Sequence, residues 1–205
     1  MKKIDILKTR LKNNERILLN GGTGTEILHR GFETSVPLWS AEVLLSHPSI
    51  VQNIHEDYIK AGAEIIVTNT FRTTERSFAK KGLSAKKATQ ITKLACTLAK
   101  NAIKKVSPKF DVFIAGSVAP LEDCYSPELT PSEEELRKEH YVYIKNLKEG
   151  GVDFILIETQ ITIKEIIAAL DAAKKLHIPT AISLCVNNDL QLLSGETLEE
   201  IITLA

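Results

Sequence analysis

The segment DFILIETQ (153–160) carries the pattern that decides the fold of this chain. Its apolar residues are continuous from Phe154 to Ile157, and the run ends at Glu158. Such a run is typical of a strand buried on both faces, as strands of parallel sheets are. Similar runs, each rich in Ile, Val, Leu or Phe, recur along the chain: RILLN (16–20), EIIVTNTF (64–71), DVFIAGSVA (111–119) and PTAISLCV (179–186).

Amphipathic segments separate these runs and predict helices over 48–61, 84–105, 131–149 and 162–176, with a last helix beginning near Thr197. Residues that favour helix N-caps stand at the predicted starts, namely Ser84, Ser132, Thr162 and Thr197. The alternation of strand and helix predicts an α/β fold with a parallel sheet. Periodicity alone leaves two architectures open, which are part of a (β/α)₈ barrel and a doubly wound open sheet.

Composition excludes several classes of function. Lysine plus arginine and aspartate plus glutamate number 26 each, so the formal net charge is zero and predicts no nucleic-acid or anionic-membrane partner. No stretch approaches the roughly 18 apolar residues of a membrane span. The three cysteines are far apart in sequence, and the amino terminus lacks a signal peptide, so we expect a cytoplasmic protein with free thiols.

Parallel α/β folds form their sites at the carboxyl ends of the strands. Glu158 ends an apolar run, so we expect its carboxylate to be partly desolvated and either paired or raised in pKa. A substrate ammonium and a structural lysine or arginine are equally good partners on this evidence. Asn69 and Thr70 break the end of another strand, where they contact either a ligand or neighbouring loops.

Two further segments carry candidate ligand contacts. The turn GGTGTE (21–26), which follows Asn20, allows backbone amides to approach an anion, although a tight strand-to-helix turn explains its glycines equally well. Trp39 either closes one end of the fold or offers an aromatic face to a cationic ligand. The five histidines show no metal-ligand spacing, and Cys124 and Cys185 alone make a poor zinc site.

Five long motifs together resemble the homocysteine S-methyltransferase family. They are ILLNGGTGTEILHRG (17–31), VPLWSAEVL (36–44), HPSIVQNIHEDYIKAGAEIIVTNTFRT (47–73), GSVAPLEDCYSPELTPSEEELRKEH (116–140) and GVDFILIETQ (151–160). The resemblance implies a (β/α)₈ barrel, of which about the first five βα units are present. It also implies that residues 1–205 form one homocysteine-binding barrel domain, incomplete at its carboxyl end.

The family's activity is the transfer of a methyl group to the homocysteine thiolate, giving methionine. The resemblance implies homocysteine and a methyl donor as partners, the donor being S-methylmethionine, S-adenosylmethionine, betaine or methyl-folate. It places substrate contacts at Asn20, Gly21, Gly22, Thr23, Asn69, Thr70 and Glu158, and the donor near Trp39. Glu158 matches the glutamate that binds the homocysteine ammonium, and the glycine turn matches the carboxylate-binding loop.

The chain departs from the family pattern in two places. Asn20 stands where an aspartate usually helps to hold the substrate ammonium, and we expect the loss of charge to weaken that contact by about 1–3 kcal/mol. The family's Zn²⁺ is bound by three cysteines from later GxNC and GGCC motifs, which these residues do not contain. We therefore expect no metal ligand and no catalytic side chain in this chain, and inactivity as a fragment. The alternatives are a non-catalytic amino-acid-binding module and a half-barrel that needs a partner chain.

Overall fold

A computed structural model describes residues 3–203. The described residues form a parallel sheet and surrounding α-helices, none of which is long and apolar enough to cross a bilayer. The α-helices are α1 (Lys3–Lys12), α2 (Thr23–His29), α3 (Glu42–Ser46), α4 (Pro48–Lys60), α5 (Glu75–Lys80), α6 (Ala85–Val106), α7 (Glu133–Gly150), α8 (Ile163–Lys175) and α9 (Leu198–Ile202). The strands are β1 (Ile65–Val67), β2 (Phe113–Val118), β3 (Phe154–Gln160) and β4 (Thr180–Leu184), and short 3₁₀ turns cover Trp39–Ala41 and Pro127–Leu129.

The strand order identifies the architecture. The sheet runs β1-β2-β3-β4, and every pair is parallel. In a doubly wound sheet the order reverses at a switch point, whereas in a (β/α) barrel each new strand joins the same growing edge. The consecutive order is that of a barrel, so the predicted partial (β/α)₈ barrel is confirmed.

The predicted first strand was too long. The segment 16–20 forms a single parallel bridge, from Leu19 to Ile65. It pairs with β1 along one edge, and Leu18 and Leu19 remain about half exposed. The ladder ends there because the Val67 amide donates to the side chain of Asn20, whereas a continued parallel pair would use the Asn20 carbonyl.

Local signals set the helix starts. Ser84, Ser132, Thr162 and Thr197 each accept a hydrogen bond from a backbone amide in the first turn of α6, α7, α8 and α9. Ser132 and Thr197 complete the capping boxes that their glutamates three residues later predict. The bounds of α4, α6, α7 and α8 and the start of α9 therefore agree with the sequence prediction to within two residues, whereas α2, α3 and α5 were not predicted.

The two faces of the sheet are covered differently. The face toward the outer helices packs against α6, α7 and α8, with Ile144, Ile155 and Ile157 in one buried cluster. The inner face carries Phe113 and Phe154 and is covered at the amino end of the strands by Leu7 of α1. Since α1 and these side chains fill the amino end, open space remains at the carboxyl ends of the strands.

Candidate functional site

A cavity of about 1020 Å³ opens at the carboxyl ends of the strands. Its walls come from the segments that follow successive strands, as the barrel architecture requires. The predicted site residues on the wall are Asn20, Gly21, Gly22, Thr23, Trp39, Asn69 and Glu158. Small-molecule sites usually span about 300–1,000 Å³, and this cavity is at the upper end of that range. It is therefore large enough to hold two small ligands at once.

Glu158 lies on the inner face of β3, two residues after Leu156, and both side chains line the cavity. Burial raises the pKa of the Glu158 carboxyl above its usual range, and a hydrogen bond from the Ser117 hydroxyl partly opposes that rise. The expectation of a partly desolvated group with a raised pKa is confirmed. Among residues 3–203, no lysine, arginine or histidine forms an ion pair with this carboxylate.

A network of hydroxyl groups holds Ser117 beneath Glu158. The Ser117 amide donates to Thr68 Oγ1 at 3.2 Å, and the Thr70 hydroxyl donates to the Ser117 carbonyl at 2.8 Å. The hydroxyls of Thr68 and Thr70 lie 2.9 Å apart. Ser117 and Thr68 are polar strand-end residues like the predicted ones. The register of β2 against β3 places Ser117 under the carboxylate, and the register of β1 against β2 places Thr68 beside Ser117.

Thr70 and Asn69 differ from the predicted arrangement. Thr70 is fully buried and does not line the cavity, because its hydroxyl points back to the Ser117 carbonyl. Asn69 lies in the wall, but its amide accepts from the Ser40 hydroxyl at 2.8 Å and donates to the Ser40 carbonyl at 3.0 Å. Both side chains therefore bind protein groups, Asn69 the 3₁₀ turn at Ser40 and Thr70 the backbone of β2.

The glycine turn is tightly packed against aromatic side chains. A Cβ atom at Gly21 would lie 2.8 Å from the Tyr58 hydroxyl, and one at Gly24 would lie 2.9 Å from Trp39 Cζ2. Any larger residue at either position would displace an aromatic ring. Packing thus accounts for two of the glycines, while Gly21, Gly22 and Thr23 line the cavity.

Asn20 is held by the main chain on both sides of its amide. Its Oδ1 accepts from the Val67 amide at 2.8 Å, and its Nδ2 donates to the Gly21 carbonyl at 2.8 Å. The side chain thereby ties the glycine turn to the end of β1. A carboxamide suits these two contacts, since it offers one acceptor and one donor.

Trp39 stands at the mouth of the cavity, with 38% of its surface exposed. Its ring meets Phe71 edge to face at 5.7 Å, and the Arg72 guanidinium lies 5.3 Å from the Phe71 ring. Arg72 also donates to the Glu122 carbonyl at 2.6 Å, which fixes the loop after β2 against this aromatic pair. The mouth therefore combines an exposed indole face with a firmly held loop.

A buried pair supports the same loop from behind. Glu165 of α8 accepts from the Leu121 amide at 2.8 Å and lies 3.0 Å from His140 Nε2 of α7. Both side chains are at most 1% exposed. The sequence assigns His140 no metal-binding role and does not single out Glu165. A carboxylate in the first turn of an apolar helix was the available signal.

The described residues do not fit a metal ion. Residues 3–203 contain no group of three or more His, Cys, Asp or Glu side chains placed to hold one. Cys124 is buried, and burial raises the pKa of its thiol, which disfavours the thiolate that metals require.

Comparisons with known proteins identify the family. The model of the homocysteine S-methyltransferase family matches residues 17–205. Homocysteine S-methyltransferase 2 of Zea mays is 30% identical over 93% of this chain and 62% of its own length, so the chain spans under two thirds of that relative. Homocysteine S-methyltransferase YbgG of Bacillus subtilis is 31% identical over 70% of this chain and 50% of its own.

Structural similarity agrees with this result. The metallated form of the homocysteine methyltransferase MmuM from Escherichia coli superposes with a TM-score of 0.86 at 26% identity, covering 95% of this chain and 72% of that one. The strand order, the site at the strand ends and the family match over residues 17–205 give one conclusion. The chain belongs to the homocysteine S-methyltransferase family.

Proposed function

We propose that this chain binds homocysteine by its amino-acid end in the strand-end cavity and serves the transfer of a methyl group to the homocysteine sulfur. The observation that carries the proposal is the Glu158 carboxylate. It lines the cavity, is largely removed from water, and is oriented by Ser117 without an ion-pair partner among residues 3–203. Removing a carboxylate from water without a countercharge is costly, so the group is arranged for a cation that arrives with the ligand.

The α-ammonium of an amino acid supplies that cation. Glu158 would accept hydrogen bonds from it, while the exposed backbone of Gly21, Gly22 and Thr23 approaches the ligand carboxylate. Asn20 lines the same cavity but carries no charge, and its amide is bound to backbone atoms. Of the predicted ligand contacts, Glu158 therefore provides the negative charge expected at the ammonium.

The methyl donor would enter past Trp39 and Phe71. The exposed indole of Trp39 packs edge to face against the ring of Phe71. Such an aromatic pair suits a sulfonium or quaternary ammonium group, since aromatic faces attract cations. S-methylmethionine, S-adenosylmethionine and betaine carry such a group, whereas methyl-folate does not. The geometry supports binding of the two substrates side by side, and the protein's task is then to hold sulfur and methyl carbon in line.

Activation of the sulfur is a separate requirement that the described residues do not supply. Zn²⁺ is the cofactor that the family resemblance implies, and it would stabilise the homocysteine thiolate. Because residues 3–203 present no group of three metal-binding side chains, we expect this chain by itself to bind the amino acid without transferring methyl groups.

Isothermal titration calorimetry with L-methionine and with reduced L-homocysteine tests the proposal. We expect saturable binding, lost by tenfold or more in Glu158→Gln because the charge-assisted contact is worth about 1.5–3 kcal/mol. Glu134→Gln, an exposed carboxylate on α7, is the matched control and should bind like the parent chain. The absence of saturable heat in the parent chain would contradict the proposal. About one tightly bound zinc per chain together with methyl transfer would contradict the expected inactivity.

A further inference from the structure

Strand β3 contains an irregularity at the cavity. Ile157 pairs with Ile182 of β4, and the next aligned pair is Gln160 with Leu184. The chain thus advances three residues on β3 and two on β4 between these pairs. One extra residue in one strand is the defining feature of a β-bulge, and bulges often redirect side chains beside active sites.

The bulge holds Thr159 in an unfavourable backbone conformation. Its φ is +57°, in the left-handed region, and among the described residues with positive φ it is the only β-branched one. Left-handed backbone is costly for a β-branched side chain, and such residues concentrate where the surrounding structure imposes them for function.

The consequence is that two consecutive side chains face the cavity. Glu158 and Thr159 both line it, whereas regular pleating would turn Thr159 toward the outer helices, as it turns Ile157. Gln160, which is fully buried, braces the bulge by donating from Nε2 to the Glu158 carbonyl at 3.2 Å.

The Thr159 hydroxyl has no partner within the described protein. No group of residues 3–203 forms a hydrogen bond with it, although it lines the same wall as Glu158. A strained backbone that presents a free hydroxyl beside an ammonium-binding carboxylate indicates a ligand contact rather than a structural one.

We propose that Thr159 is a further substrate-binding residue, whose hydroxyl donates a hydrogen bond to the carboxylate of the amino acid held by Glu158. This inference rests on the proposed amino-acid binding. The two groups of an α-amino acid are adjacent, so a hydroxyl next to the ammonium-binding residue reaches the ligand carboxylate. The glycine turn would contact the other carboxylate oxygen.

Three substitutions at Thr159 separate its hydroxyl from its backbone. Thr159→Ser keeps the hydroxyl and should bind L-methionine within about threefold of the parent chain, while Thr159→Ala should bind about tenfold more weakly, the effect of one lost hydrogen bond. Thr159→Gly should bind as weakly as the alanine variant yet melt about 2–4 °C higher than it, since glycine adopts positive φ without strain.

Each result of these titrations and melts is informative. Equal binding by the parent chain and Thr159→Ala would overturn the ligand role while leaving amino-acid binding intact. A Thr159→Gly variant that melts no higher than Thr159→Ala would overturn the strained bulge. Failure of the parent chain itself to bind L-methionine would overturn the proposed function, and with it the role of Thr159.

Discussion

Asn20→Asp tests the charge arrangement of the site directly, because it introduces the carboxylate that the family resemblance implies at this position. In the ligand-free protein, one carboxylate oxygen would still accept from the Val67 amide. The other would lie about where Nδ2 is now, 2.8 Å from the Gly21 carbonyl oxygen, with no proton between them. The variant loses one hydrogen bond and gains an oxygen–oxygen repulsion, so we expect it to be less stable by about 1 kcal/mol.

Ligand binding should change in the opposite direction. An ammonium placed between the introduced carboxylate and Glu158 would gain a second charged acceptor, worth about 1.5–3 kcal/mol. The side chain at position 20 is only half-buried, so screening by water favours the lower value. A gain of about 1.5 kcal/mol corresponds to roughly tenfold tighter binding.

Thermal melts and calorimetry measure the two effects separately. We expect the variant to melt about 2–4 °C lower than the parent chain and to bind L-methionine about tenfold more tightly. 4-(Methylthio)butanoate lacks the ammonium and should bind no better than before. Asn101→Asp on α6, an exposed position away from the cavity, adds the same charge and should change neither quantity. The reasoning would be refuted if Asn20→Asp increased the affinity for both ligands equally, or if it left the affinity for L-methionine unchanged.

Three more substitutions probe the site and its support. Ser117→Ala removes the hydrogen bond that opposes the effect of burial, so the pKa of Glu158 should rise further. Because the ammonium needs the ionised carboxylate, calorimetry at decreasing pH should show that this variant loses L-methionine binding at a higher pH than the parent chain does. Gly24→Ala places a Cβ 2.9 Å from the Trp39 ring and should destabilise the chain by about 1–3 kcal/mol, with a shift in tryptophan emission. Glu165→Ala removes the buried partner of His140. Urea denaturation should show a free energy of unfolding that is lower by about 3–5 kcal/mol.

The outcomes that contradict these three are equally specific. An unchanged acid limit in Ser117→Ala would mean that its hydroxyl does not stabilise the ionised carboxylate. Glu158 also affects the stability of the ligand-free protein. Because its pKa is raised in the folded state, the folded protein keeps the proton at a pH where the unfolded chain has released it. The free energy of unfolding should therefore fall as pH rises through that window. Unchanged tryptophan emission in Gly24→Ala would refute the close packing of Gly24 against Trp39. A Glu165→Ala variant as stable as Glu134→Ala, which removes an exposed carboxylate, would refute the structural role of Glu165.

Much of the fold was predictable because its signals are local. Continuous apolar runs give strands buried on both faces, and serine or threonine before a periodic segment gives a capped helix. Ser132 and Thr197 cap their helices as predicted because a capping box needs only residues within one turn. The segment 16–20 was wrong as a full strand, since its length depends on neighbours that a local pattern does not contain.

Sequence by itself determined five of the helices (α4, α6, α7, α8 and α9), most strands, the strand-end placement of Glu158 and Asn20, and the family resemblance. Only the tertiary structure decided which strand-end groups meet. The parallel register puts Ser117 under Glu158, turns Thr70 behind the cavity wall, and lets a bulge bring Thr159 to the front. The reason is geometric: side chains alternate across a strand, so one extra residue or one step of register exchanges inside for outside.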